Sequence, residues 1–272
     1  MKHPIPKNRF YDLNYHIPKL QLFEVFPLTP FLDRYERLNV FDVGANTGLW
    51  SEAFLRTNGA RTGSHVMFEP IPGNVEQLNR RDENILSKLT TSTEVVATAV
   101  GDDLGVVDIH YDKAVTTLAS ISNRTSKFGV HEIALTNTIS VPLTLVDAEI
   151  EKRAIDRLHL MKIDVEGHEM HVIKGAENAL RDGRIRNIYF EFGIHQLQIG
   201  ETFREFYTYL TQFGFTLYKP SRGINFFGLA QIRTYRRSLE PSKRKQTVEM
   251  VLASLDGPDP DYRGPNVLGR PI

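Results

Sequence analysis

The chain of 272 residues contains no cysteine. Structural disulfides, a thiolate nucleophile and cysteine-ligated zinc are therefore excluded. Net charge is also absent, because 33 Lys and Arg balance 33 Asp and Glu. A protein that holds nucleic acid by bulk electrostatics needs a basic excess, so no nucleic-acid partner is expected. No apolar run approaches the roughly 18 residues that span a bilayer. Met1-Lys2-His3-Pro4 opens without the apolar core of a signal peptide. A cytoplasmic protein with no membrane partner is the expectation. What remains is 41% hydrophobic and 24% charged, enough for a sizeable core in one large α/β domain with extensions at either end.

The most informative stretch is Val40-Phe41-Asp42-Val43-Gly44-Ala45-Asn46-Thr47-Gly48. An apolar strand runs into Asp42, then a glycine-rich turn, then a helical pattern from Leu49. Gly44 and Gly48 remove side chains where a ligand would approach, and such a turn aims N–H groups at whatever sits above it. A second apolar run, His65-Val66-Met67-Phe68, ends in Glu69-Pro70. An acid at the tip of a second strand suits a ribose diol, because a carboxylate accepts from both hydroxyls. The glycines are spaced G-x-x-x-G rather than G-x-G-x-x-G, and Asp42 precedes them. A carboxylate there repels a pyrophosphate and attracts an amino group. No Lys follows Gly48, so a Walker A loop is excluded. A ligand with a ribose and a cationic amino-acid end fits, and S-adenosylmethionine is such a ligand.

Strands and helices alternate from Val40 onward, which predicts a largely parallel sheet with helices on both faces. Strands are predicted at 40–44, 64–69, 95–100, 140–146, 158–165 and 188–192, with an inserted strand over 106–111. Residues 113–138 read as a polar loop. A helix is predicted over 168–181, with Val172, Ile173, Ala176 and Leu180 on its apolar face. Thr202-Phe203-Arg204-Glu205 is a capping-box pattern. Residues 215–218 and 226–232 then pair as an antiparallel hairpin. This gives an N-terminal arm over 1–38, a central domain over 39–237, and a partly disordered C-terminal extension over 238–272. The arm is rich in proline and aromatics, suited to packing on the sheet or covering the mouth of a site. The basic cluster from Arg233 to Lys245 reads as a solvated surface.

A second strong segment is Met161-Lys162-Ile163-Asp164-Val165-Glu166-Gly167-His168-Glu169. Asp164 is expected at the carboxyl end of the fourth core strand, and Glu191 at the same edge of the fifth, where open α/β sheets bind ligands. Lys162 shares a face with Asp164 by the two-residue strand period and can pair with an acid there. Two carboxylates at neighbouring tips can deprotonate a hydroxyl or hold a divalent cation. Imidazole is the side chain that ordinarily changes charge near neutral pH, so His168 is the first choice as base, with Asp164 or Glu166 orienting it and His195 in reserve. If a cation such as magnesium is used instead, Asp164 and Glu191 are its ligands. A helix N-cap is the plainer reading of Glu166 and Glu169. His168 and His171 lie three apart, not the four of the zinc-protease pattern.

At these residues the chain resembles the FkbM family of S-adenosylmethionine-dependent methyltransferases. The resemblance rests on Phe41–Gly48, Phe68-Glu69-Pro70, Ala99-Val100-Gly101-Asp102, Thr144-Leu145, and Lys162–Glu169 followed by Lys174-Gly175-Ala176. It implies a class I methyltransferase fold, Rossmann-like, with a mostly parallel seven-stranded sheet. It implies that Asp42, Gly44, Asn46 and Gly48, with Val43 and Ala45 between them, lie along the methionine end of the cofactor. Glu69 and Pro70 would lie at its ribose and Gly101 and Asp102 at its adenine; Asp164, from its place at a strand tip, is expected to face the cofactor's methyl. Gly101 departs from the Ser that family members often carry. Methyl transfer to a hydroxyl of a carbohydrate or natural-product small molecule is the implied activity, with a small-molecule or glycan acceptor as partner. N-methylation of an amine or protein side chain, and a non-catalytic S-adenosylmethionine-binding module, are the alternatives. The retained acids at Asp164, Glu166 and Glu191 weigh against the module, and Asp42 with the glycine spacing weighs against a dehydrogenase.

Overall fold

The computed structural model describes Gln21 and residues 24–112, 119–121, 125–128, 131–223, 226–232 and 249–261. The proline- and aromatic-rich arm up to residue 20, the basic cluster and the tail from 262 lie outside the described residues. The strands are β1 (Leu38–Val43), β2 (Thr62–Phe68), β3 (Thr93–Val96), β4 (Ala99–Gly101), β5 (Gly105–Tyr111), β6 (Ala119–Ser120) and β7 (Thr125–Phe128). They continue as β8 (His131–Ala134), β9 (Asn137–Leu145), β10 (Leu160–Ile163), β11 (Asn187–Phe192), β12 (Thr216–Gly223), β13 (Phe226–Ile232) and β14 (Glu249–Ser254).

Eight of these strands form one sheet in the order β13-β12-β14-β11-β10-β1-β2-β3. The run from β3 to β11 is parallel. β14 enters antiparallel between β11 and β12, and β12 pairs antiparallel with β13. The expected hairpin is therefore present, but it does not join the parallel sheet directly. The strand that joins them, Glu249–Ser254, lies beyond the boundary expected at 237, so the sheet extends past it. With β14 inserted, the sheet has eight strands where seven were expected.

Side-chain alternation along the strands makes two cores. Phe41, Val43, Met161, Ile163, Ile188 and Phe190 face one side, against Val172, Ile173 and Phe206 of the helices Glu169–Lys174 and Phe203–Gln212. Val40, Leu160 and Tyr189 face the other, against Trp50 and Phe54 of the helix Leu49–Asn58 and against Leu28 and Phe31 ahead of β1. The helix expected over 168–181 is broken at Gly175 into Glu169–Lys174 and Glu177–Arg181. A Cβ on Gly175 would lie 1.9 Å from the Gly101 carbonyl oxygen, so the break brings backbone against backbone.

The predicted third strand also divides. Thr93–Val96 stays in the large sheet as β3, while Ala99–Gly101 pairs with β9 in a second sheet of order β4-β9-β5-β6. The chain leaves one sheet for the other at Ala97-Thr98, and this sends Gly101-Asp102 away from the carboxyl edge of β2. The segment expected as a polar loop over 113–138 carries β6, β7, β8 and the start of β9, with 113–118, 122–124 and 129–130 outside the described residues.

Candidate active site

A cavity of about 490 Å³ opens at the carboxyl edge of β1, β2 and β10. Its floor is the turn after β1. Gly44 and Gly48 take φ of +77° and +79°, and Asn46 takes +52°, a left-handed run that glycine makes cheap at its two ends. A Cβ on Gly44 would stand 1.9 Å from the Asp164 carbonyl oxygen. The glycine is thus required by the approach of two strand ends, rather than by a ligand. Nor are the turn's N–H groups free as expected. Those of Gly44 and Ala45 donate to the Phe68 carbonyl at 3.0 Å, and that of Asn46 to Glu69 Oε2 at 2.9 Å. A turn whose donors are committed suits a ligand without phosphates.

Glu69 is 4% exposed and lines the cavity. Besides Asn46 N it accepts from Ile71 N at 2.9 Å and Asn74 Nδ2 at 3.2 Å. Burial pushes its carboxyl up from the usual range, against these three hydrogen bonds and the charge of Lys162. A carboxylate offers about four acceptor positions, so room remains for a ligand hydroxyl.

Asp42 sits elsewhere than expected. It is fully buried and does not line the cavity. Parallel register puts it directly beside Lys162, on the same face of the sheet. Lys162 Nζ lies 3.2 Å from Asp42 Oδ1 and 3.3 Å from Asp164 Oδ2, and donates to the Gly44 carbonyl at 3.3 Å. All three ammonium protons are committed. Burial alone would depress the Lys162 pKa, but Asp42 and Asp164 reverse this and raise it. Behind Asp42, Ser51 Oγ donates to Asp42 Oδ2 at 2.6 Å and meets His65 Nε2 at 2.7 Å. A hydroxyl has one proton, so His65 Nε2–H must be the donor to Ser51.

The acids at the far wall come together as expected. Oxygen atoms of Asp164, Glu166 and Glu191 lie within 4.8 Å of one another. Asp164, Glu166 and His168 line the cavity. Glu191 is half-buried behind them, and its carboxyl is pushed well up by burial first and then by Asp164, Glu166 and Glu169. Glu166 takes φ of +57° and reaches His195 Nε2 at 3.2 Å. Glu169 is fully buried and structural: it accepts from Val165 N at 3.0 Å and Gly167 N at 3.3 Å, and from the Gln196 amide. The cluster therefore favours whatever relieves carboxylate repulsion, whether a proton or a cation.

Val43, Gly44, Ala45, Asn46, Glu69, Pro70, Asp164, Glu166 and His168 thus face one cavity, while Gly48 lies behind the turn under Leu78. Gly101 and Asp102 do not line it; Asp102 pairs with His171 Nδ1 at 2.8 Å on the outer surface. Thr98, Ala99 and Val100 take that wall instead, a shift caused by the break after β3. Sequence reasoning also missed Trp50 and Glu24, which line the cavity. Trp50 lies in the first turn of the helix after the glycine turn, a position that could have drawn attention; nothing in the local sequence marks Glu24.

Among the described residues, no helix is long and apolar enough to cross a membrane. No curated protein matches the chain. Residues 42–217 match the model of the methyltransferase FkbM domain. Among solved structures, the methyltransferase FkbM from Methylobacillus flagellatus KT is similar over 80% of this chain, at 12% identity and a TM-score of 0.50. The present chain spans 44% of the length of that one. A precorrin-6y C5,15-methyltransferase from Geobacter metallireducens GS-15 is similar at 9% identity, over 87% of each chain, with a TM-score of 0.40. An rRNA methylase from Streptococcus thermophilus is similar at 9% identity, over 89% of this chain and 97% of that one, with a TM-score of 0.42. The fold is that of class I methyltransferases. With the family model covering the glycine turn, the cavity acids and most of the parallel sheet, the chain belongs to the FkbM methyltransferase family.

Proposed function

We propose that the protein is an S-adenosylmethionine-dependent O-methyltransferase, acting on a hydroxyl of a carbohydrate or natural-product small molecule. The observation that carries this is the convergence of Asp164, Glu166 and Glu191 beside the Gly44–Asn46 turn and Glu69. An electronegative wall suits a sulfonium and opposes a phosphate chain, which favours a small neutral acceptor over nucleic acid. The cofactor supplies a methyl group activated by a positively charged sulfur.

The chain's own residues do the rest. Glu69 accepts from a ribose hydroxyl with its remaining acceptor position. Lys162 holds Asp164 and the Gly44 turn in fixed relation. A hydroxyl is a weak nucleophile at neutral pH, so it needs a base to take its proton as its oxygen bonds to the methyl carbon and the carbon–sulfur bond breaks, leaving a neutral thioether. His168 lines the cavity and is suited to take the proton; Glu166 with His195 forms a second route into the acidic cluster. Holding the hydroxyl in line with the methyl supplies the remainder by orientation.

A cation-assisted variant is favoured by one observation, the approach of three carboxylates to within 4.8 Å of one another. Magnesium on Asp164 and Glu191 would lower the hydroxyl pKa instead. Titration calorimetry with S-adenosylhomocysteine and NAD, followed by turnover on a panel of sugars and hydroxylated small molecules, tests the reading. Binding of S-adenosylhomocysteine with methylated product is expected. Tighter binding of NAD would overturn it.

A further inference from the structure

The cavity acquires one wall from outside the stretch matched by the family model. Gln21 and Glu24, both helical, line it three positions apart in the sequence. The next residue, Val25, is 3% exposed, and Leu28, Phe31 and Leu32 follow it into the core shared with Trp50 and Phe54. Phe31 packs edge-on against Tyr218 with ring centroids 4.9 Å apart. The position of Glu24 is thus set by a buried anchor immediately after it.

The charges that act on Glu24 are those of Lys162, Asp164 and Asp42, and it shares the cavity lining with Gly44, Lys162 and Asp164, at the tips of β1 and β10. Those are the strand ends that flank the glycine turn. Lys162 already serves Asp42, Asp164 and the Gly44 carbonyl, and no ion pair joins it to Glu24 among the described residues. Burial pushes the Glu24 carboxyl up to about 7, with Asp164 and Asp42 adding to the rise and Lys162 opposing it. Lys162 lines the same cavity but is committed to other acceptors, so Glu24 is a largely desolvated acid with no ion-pair partner of its own among the described residues, and a ligand cation would offset that cost. Sequence reasoning gave the task of meeting an amino group to Asp42, but Asp42 is sealed behind the turn.

We propose that Glu24 contacts the cofactor, accepting from the α-ammonium of S-adenosylmethionine in the role that sequence position suggests for Asp42. This rests on the cofactor assigned above. The segment ahead of β1 would then be part of the binding site, and occupancy would fasten it to the sheet edge.

The test uses the full chain, wild type and Glu24→Gln, with two probes: S-adenosylhomocysteine and its analogue lacking the α-amino group. Glutamine is close in shape, and comparing two ligands on one protein cancels any loss of folded fraction. Glu24→Gln is expected to weaken S-adenosylhomocysteine on the order of 10- to 100-fold, as for a lost charge-assisted hydrogen bond, and to leave the deaminated analogue unchanged. Equal affinity of both proteins for S-adenosylhomocysteine overturns the role of Glu24 alone. So does an equal loss for both probes, which would make Glu24 a shaper of the wall. A wild-type protein that binds neither probe overturns the cofactor itself, and Glu24 with it.

Discussion

Lys162 Nζ stands 3.2 Å from Asp42 Oδ1, and both side chains are buried at the adjoining tips of β10 and β1. The pair is a fastening between strands, and the same ammonium reaches Asp164 at the cavity rim. Removing one partner leaves the other charged and out of water. Lys162→Met should therefore cost about 3–5 kcal/mol and lower the melting temperature by roughly 10 °C. Asp42→Asn should also melt early, yet bind S-adenosylhomocysteine within about tenfold of wild type where both are folded. The double variant should lose less than the two single losses added. Thermal unfolding with calorimetry checks this. Normal melting with lost affinity in Asp42→Asn would return Asp42 to the ligand.

The glycine turn argues a second expectation, about backbone rather than charge. Gly44→Ala suffers both a left-handed conformation and a Cβ 1.9 Å from the Asp164 carbonyl oxygen. Gly200→Ala suffers only the conformation, at φ of +87°, because nothing lies within 4 Å of its added Cβ. Gly200→Ala should cost about 1–2 kcal/mol, and Gly44→Ala clearly more. Urea unfolding of the two variants would show equal losses if the contact with Asp164 is unimportant.

Much of this site was legible in the sequence because it is local. The glycine turn, Glu69 at a strand tip, and Lys162 two residues before Asp164 are all set by chain neighbours and by the period of a strand. Lys162 meeting Asp42 was not, because it depends on the register between β1 and β10, which residue spacing does not encode. Asp102 was misplaced for a related reason. The apolar run 95–100 looks like one strand, yet Val96 and Ala99 belong to different sheets, and only tertiary pairing decides where the chain crosses over. β14 did carry a local signal, the apolar run Met250–Ala253. Its proline-rich sequel made the region read as a tail. Glu24 carried no signal, since its role depends on where Val25 is anchored.

Acid should weaken the fold through His65. Its ring is fully buried, its Nε2–H serves Ser51, and among the described residues Nδ1 has no partner to receive a second proton's hydrogen bond. Burial lowers its pKa to about 4, with Asp42 opposing, against the ordinary 6.5. The unfolded chain therefore binds the extra proton first as pH falls. Stability contributed by neutral His65 is complete above about pH 6.5, is lost progressively toward pH 4, and amounts to about 3 kcal/mol. His65→Gln keeps a donor for Ser51 but does not titrate. Urea unfolding at several pH values between 7 and 4 should show a shallower acid slope in the variant. Parallel slopes would mean the loss arises elsewhere, with His159 the next histidine to examine, since burial lowers its pKa to about 4 as well.

The chemistry itself turns on whether the acidic cluster takes up a proton or a cation. Glu166 reaches His195 at 3.2 Å, and its oxygens, with those of Asp164 and Glu191, lie within 4.8 Å of one another. If His168 is the base, His168→Ala should lower kcat by about 10²- to 10⁴-fold with little change in cofactor affinity, and a chelator should have no effect on wild type. Asp164→Asn and Glu166→Gln should then cost less, because each would act by orienting a histidine. If a cation assists instead, chelation should abolish turnover, added magnesium should restore it, and Asp164→Asn and Glu191→Gln should be the severe variants. The measurement is single-turnover methylation of an accepted hydroxyl substrate by each variant, with and without chelator. Near-normal rates in both His168→Ala and Asp164→Asn would place the chemistry away from this wall of the cavity. Since burial, and after it the neighbouring carboxylates, push the Glu191 carboxyl well up, the proton reading carries one further expectation. Glu191→Gln should then be nearly silent, because an amide replaces a carboxyl whose charged form is already disfavoured there.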